Sequence, residues 1–198
     1  RRRLLATGLL AAPLAAVLVW SAGGSNPAAP PTGLRVSFLD VGQGDATLLQ
    51  VPEGAVLVDQ GPPEAEVADR LRRLNVSRLS ALVLTHPQRD HVGGAPEVLR
   101  TLDVEAVLEP ALSVESAEDD AALVVARARG VPVAVARAGQ SYRLGRLRLD
   151  VLWPDGPGPP STDPNENAIV LLASYGRVEV LLTADAESHV TRRLRVGA

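Results

Sequence analysis

Two histidines and an aspartate fall within six positions of the stretch LTHPQRDHVGG (84–94): His86, Asp90 and His91. Imidazole and carboxylate together are a ligand set for zinc, iron or manganese. The chain has only 3 histidines, so two of them in one short loop is a concentration that composition does not explain. If the loop curls, the three groups converge on one small volume and form a metal site; the alternative is a solvated polar turn, and the metal reading is the stronger. Gln88 lies between them and offers a neutral amide oxygen, a weaker and harder ligand that suits magnesium or manganese better than zinc. There is no cysteine, which excludes thiolate metal sites and disulfides.

These residues need elements to present them. LSALVLT (79–85) reads as a buried strand that delivers Thr85 and His86 at its C-terminal end, where α/β folds expose functional loops. Gly93 and Gly94 then let the backbone turn close to a bound ion. Upstream, LRVSFLDV (34–41) and ATLLQV (46–51) read as strands joined through the turn-forming GQGD, and GAVLVDQG (54–61) as a third, short strand. Val67, Leu71 and Leu74 are spaced for a helix over 64–74. Helices are expected at 95–102, 117–129 (its first turn fed by the acidic run 115–120) and 186–194, with strands at EAVLEP (105–110) and VPVAVA (131–136). YRLGRLRLDVLWP (142–154) and AIVLLASYGRVEVLLTAD (168–185) read as hairpins turning at Gly145 and Tyr175-Gly176. The Pro/Gly-rich loop GPGPPSTDPNEN (156–167) lies between them. Strands first, then strand–helix alternation, then hairpins make a mixed α/β domain.

The 198 residues suffice for one domain with a real core. The net charge of −3 gives no overall basic field for a polyanion, although all 20 basic residues are arginine. Arg143, Arg146 and Arg148 could meet a phosphate backbone locally, but an exposed hairpin face accounts for them equally well. No aromatic residues interleave them, which argues against a stacking surface there. His189 reads as a surface helical histidine.

The N-terminal segment 1–22 carries three arginines and then an uncharged apolar run. Leu4 to Trp20 is 17 residues, nearly enough at ~1.5 Å per residue to cross a ~30 Å hydrocarbon layer. A retained membrane helix is favoured over a cleaved export signal. In either case the arginines stay cytoplasmic, and the chain after Trp20 emerges outside. Residues 23–33 form a Pro/Gly/Ala linker, and 34–198 the folded domain.

HPQRDHVGG resembles the H-x-H-x-D-H loop of the metallo-β-lactamase-like superfamily. VSFLDVGQGDATLLQVPEGAVLVDQGPP (36–63) is similar to the opening of the extracytoplasmic domain of the ComEC competence family, including the strand ending in D-x-G at Asp59 and Gly61. NENAIVLL followed by LLTAD resembles that domain's Asn-rich loop and the strand ending in an acidic ligand. The resemblance spans residues 34 to 194. It implies an αββα sandwich, C-terminally truncated, preceded by one membrane helix. His86 would serve a first metal position, with Gln88 as a weak ligand where the family has its second histidine. Asp90 and His91 would serve a second position, and Asp185 would bridge the two. Asp59, and with it Asp45, would support the site from behind. Asn165 and Asn167 could line the substrate cleft, but asparagine in a Pro/Gly-rich loop usually makes turns.

The implied cofactor is one or two divalent ions, manganese or zinc, with magnesium a further candidate. The implied reaction is phosphodiester hydrolysis, with Asp90 orienting or deprotonating water. The implied partners are single-stranded DNA, the membrane, the rest of a ComEC channel and other DNA-uptake proteins, with the domain on the extracytoplasmic side of a bacterial membrane. A catalytically weakened domain that guides DNA, and a free exported metallohydrolase, are the rival readings.

Overall fold

The computed structural model describes residues 31–110, 116–156 and 163–194. The segment expected to cross a membrane or direct export, and most of the linker after it, lie outside these residues. Among the described residues no helix is long and apolar enough to cross a membrane.

Two sheets face one another. The first has six strands in the order β1 (Arg35–Phe38), β2 (Thr47–Val51), β3 (Gly54–Val58), β5 (Ala81–Val83), β7 (Val107–Glu109) and β8 (Val133–Val135). Its first three strands are antiparallel; from β3 onward the pairing is parallel. The parallel half is joined by α1 (Val67–Arg73), α2 (Arg89–Val92), α3 (Ala95–Thr101) and α4 (Ala117–Ala128). The second sheet is an antiparallel ribbon in the order β12 (Val178–Leu182), β11 (Val170–Tyr175), β10 (Leu147–Trp153), β9 (Ser141–Leu144). Both expected hairpins are its parts.

Period-two alternation sorts the side chains into layers. Along β3, Leu57 joins Leu71, Leu82, Val98 and Leu99 in the core between the first sheet and its helices. Its neighbours Val56 and Val58 instead join Leu49, Val83, Leu149 and Leu171 between the two sheets. A third, small cluster of Trp153, Val170 and Val190 lies where α5 (Ser188–Thr191) meets the second sheet. The described residues thus build helix, sheet and sheet as full layers, and α5 begins the outer fourth.

Several expected elements are shorter or broken. The helix expected over 64–74 splits into a 3-10 turn at Pro63–Ala65 and α1, because Glu66 takes a left-handed conformation with φ of 50°. The strand expected from Leu79 to Thr85 is divided: Arg78–Leu79 (β4) leaves the main sheet to pair with Asp103–Val104 (β6). The last helix is one turn, not the expected span from 186 to 194. The metal-binding stretch, expected to be a curled loop, holds the short helix α2.

Two glycines bring separate segments together by backbone contact. Gly44, with φ of 97°, lies where a Cβ would collide with the Asp90 carbonyl, and at Gly94 a Cβ would collide with the Gln60 carbonyl. The GQGD turn and the D-Q-G turn therefore press directly on the loop that carries His86 and His91.

Candidate metal centre

Asp59, Thr85 and His86 follow the C-terminal ends of the parallel neighbours β3 and β5. Asp59 is buried and holds φ of 56°, a region that aspartate tolerates better than most residues. Its carboxylate accepts three hydrogen bonds. The Thr85 N–H reaches Oδ1 at 3.0 Å, the Thr85 hydroxyl reaches Oδ2 at 2.8 Å, and His91 Nδ1 reaches Oδ2 at 2.9 Å.

This network fixes both imidazoles. An ionised carboxylate only accepts, so His91 Nδ1 must carry the proton and turn its Nε2 away. The Thr85 hydroxyl spends its hydrogen on Asp59, so it accepts from His86 Nδ1 at 2.9 Å. His86 therefore also presents a bare Nε2. That atom is fully buried and has no hydrogen-bond partner. The rings lie 4.1 Å apart, tilted by 49°, and His91 Nε2 lies 3.4 Å from Asp185 Oδ1.

His86, His91 and Asp185 each offer one ligand atom, all within 4.8 Å of one another; Asp45, Asp59 and His91 form a second such group. An orphaned imidazole lone pair buried beside a second imidazole and a carboxylate is costly without a partner, and a divalent cation supplies one. The donor set of nitrogen and hard oxygen suits zinc or manganese. The residues present fit a divalent ion.

Electrostatics point the same way. Burial pushes His86 below its usual value, and neighbouring His91 adds to the effect. Burial acts on His91 likewise, but its hydrogen bond to Asp59 and the charges of Asp59, Asp185 and Asp90 prevail and raise it to about 9. Burial lifts the Asp45 carboxyl; His91 opposes this, while Asp59, Asp185 and Asp90 reinforce it. Four carboxylates around two histidines make a pocket of negative potential that favours a cation.

The structure does not converge all three loop residues that the sequence brings together. His86 and His91 meet, but Asp90 is turned away and accepts from Gln43 Nε2 at 3.2 Å. In α2 consecutive side chains point about 100° apart, so burying His91 swings Asp90 toward the GQGD turn. Asp185, from beyond β12, closes on the histidines across the gap between the sheets. Gln88 Nε2 donates to Asn165 Oδ1 at 2.6 Å, which ties the metal loop to the Asn-rich loop and leaves the amide oxygen as the remaining acceptor. Asn167 is buried and donates to the Asp163 carbonyl at 2.7 Å, so it shapes its own loop and does not line an open cleft. His189 lies 3.3 Å from Glu166 on the surface. In the arginine-rich hairpin Arg146 stacks on Tyr175, and Arg148 pairs with Asp150 at 2.7 Å.

Sequence reasoning missed Thr85, Gln60 and Gln43. Gln60 is fully buried, donates to the Val83 carbonyl at 2.9 Å and receives the backbone of the metal loop, since its N–H reaches the His91 carbonyl at 2.7 Å. The position of Thr85, between strand and histidine, was the available signal for its role. Nothing in the sequence pointed to the two glutamines.

Comparison with known proteins agrees with this geometry. A family model described as the metallo-beta-lactamase superfamily matches residues 39–191. ComE operon protein 3 of Bacillus subtilis (strain 168) is 29% identical over 173 residues, covering 77% of this chain and 22% of the relative. Recombination protein 2 of Haemophilus influenzae is 28% identical over 161 residues, covering 78% and 18%. The chain thus spans about a fifth of the length of these relatives, and both support the resemblance to the ComEC family.

Among solved structures, the subclass B3 metallo-β-lactamase MEM-A1 from a soil metagenome library has a TM-score of 0.53 at 16% identity, covering 76% of this chain and 60% of that one. A mutant metallo-β-lactamase from Cronobacter sakazakii has 0.51 at 20% identity, covering 71% and 56%. At these identities the likeness is one of fold.

Proposed function

Because the chain belongs to the metallo-β-lactamase superfamily, we propose that it is the metal-dependent nuclease domain of a ComEC-like DNA-uptake protein, acting on the single strand that is not imported. The observation that carries the reading is the buried, unpartnered Nε2 of His86 beside His91 and Asp185. His86, His91 and Asp185 would hold one ion, manganese or zinc, with the Gln88 oxygen a weaker addition. Asp90 and Asp45 are the carboxylates nearest to hand for a second.

A bound divalent ion would supply an activated water and neutralise the phosphate's charge. The chain's own residues do the rest. Asp59 holds the Nδ1–H of His91 directly and, through Thr85, that of His86, so that both rings turn Nε2 toward the ion, and His91 would give up its second proton on binding it. Asp90, which accepts from Gln43, would take the proton of an attacking water on exchanging that contact for one with the water. The domain would work outside the cytoplasmic membrane, with the segment around 4–20 as anchor or export signal and the rest of the uptake channel as partner.

The test is cleavage of labelled single-stranded DNA by the purified full-length protein supplied with manganese, with zinc and magnesium in parallel. Cleavage that disappears in His91→Ala supports the reading; an inert protein with a filled metal site rejects it. One observation favours a weakened domain that binds and guides DNA: the amide of Gln88 is already engaged with Asn165. That reading requires single-strand binding without turnover, and no bound ion in the complete protein.

A further inference from the structure

Phe38, the only phenylalanine of the chain, is uncovered on a face where it should be buried. It shares the parity of Val36, which packs between the two sheets, and its cross-strand row continues through Thr47 to Val58. Both of those partners are buried, yet Phe38 is 72% exposed. The sheets part here, leaving a cavity of about 160 Å³ between the Phe38–Thr47–Val58 row and the end of β12 at Leu181 and Thr183. Asp45 and Asp59 line its inner side. The same two carboxylates close on His91 within 4.8 Å, so the cavity and the metal centre share a wall.

We propose that Phe38 and this cavity are a subsite for the nucleobase next to the phosphate at the metal centre, which makes a single strand the substrate form. This rests on the nuclease reading and adds to it a binding residue. Size restricts the occupant: clefts that bury whole drug-sized ligands hold roughly 300–1,000 Å³, so this one takes a single ring system of a longer molecule. Charge restricts it further. The exposed Asp45 in this lining repels a phosphate but accepts hydrogen bonds from ring N–H and exocyclic amines, as does the hydroxyl of Thr183. An exposed aromatic face against carboxylate and hydroxyl acceptors fits a neutral heterocycle carrying donors. A base stacked within a duplex cannot enter, because both of its faces are already covered.

The experiment uses the full-length, manganese-loaded protein and short fluorescent oligonucleotides, DNA and RNA in parallel, with anisotropy for binding and KM for cleavage. Phe38→Ala should weaken single-strand binding and raise KM by roughly 5- to 150-fold, the range of one lost base–aromatic stack, while kcat changes little. Phe38→Trp should retain binding, and its added fluorescence should be quenched by the strand whether or not cleavage occurs. An oligonucleotide made abasic next to the cleaved bond should bind wild type as weakly as the intact strand binds Phe38→Ala, and should not distinguish the two proteins. The polymer whose binding depends on Phe38 is the substrate's class. If wild type binds and cleaves a strand and Phe38→Ala does so equally well, the subsite is wrong and the nuclease reading stands. If wild type neither binds nor cleaves, the nuclease reading itself fails and the subsite falls with it.

Discussion

Thr85 gives Asp59 two hydrogen bonds, one from its backbone N–H at 3.0 Å and one from its hydroxyl at 2.8 Å, and the pair joins the ends of two parallel strands. Asp59→Asn puts an amide N–H₂ against donors that need an acceptor. We expect roughly 10- to 100-fold weaker binding of manganese or zinc, the usual cost of losing a group that orients a ligand, read by isothermal titration. Thr85→Val should give a smaller loss confined to the His86 side. Unchanged affinity in Asp59→Asn would remove the orienting role.

Gln88→His trades the amide for an imidazole and breaks the 2.6 Å contact with Asn165. The expected result is tighter binding and a higher ion-to-protein ratio by elemental analysis, with zinc gaining more than manganese because imidazole is the softer ligand. An unaltered ratio and affinity would mean that position 88 does not face the ion.

Ala184 takes φ of 45° immediately before Asp185, a conformation that costs a residue bearing Cβ. Ala184→Gly should relieve this and stabilise the fold by about 1 kcal/mol, less the added freedom of the unfolded chain. Denaturant midpoints check it; a loss of stability would show that the strain is compensated locally.

Asp119 is raised by burial, then by Glu109 and Asp120, to about 6 from its ordinary 3.8. The folded protein therefore holds this proton more tightly than the unfolded chain does. The resulting stabilisation is complete below pH 3.8 and is lost as pH rises through 6. Above that, Asp119→Asn should be more stable than wild type by on the order of 1 kcal/mol, allowing for solvent screening. The gap should close toward the acid end. Melting curves across this range measure it, and a gap independent of pH would contradict the assignment.

The sandwich was legible because β2, β3 and β11 are apolar runs, β10 alternates, and the turns between the strands carry glycine. Helix ends were less legible: Glu66 takes a left-handed conformation that divides the expected helix, and side-chain periodicity does not register backbone φ. At the site, His86 and His91 could be named from residue type and spacing, and Asp59 and Asp185 from the family resemblance. Asp90 was expected to converge with the histidines but accepts from Gln43, since a single helical turn decides which of them it faces. Thr85 and Gln60 act through backbone carbonyls and neighbouring side chains, and those partners exist only after folding.

His91 and Asp185 belong to opposite halves of the sandwich, one following the parallel sheet and the other the antiparallel ribbon. An ion held between them acts as a rivet through two plates, closing a loop of almost half the chain. Removing it with a chelator should lower the melting temperature. At an ion concentration roughly a hundred times Kd, the expected contribution is about 2–3 kcal/mol. Hydrogen exchange should then quicken first in β12 and α5, the plate that the rivet releases. The mineral content of the surroundings would in this way set not only whether the domain reacts but how firmly its two sheets stay clasped.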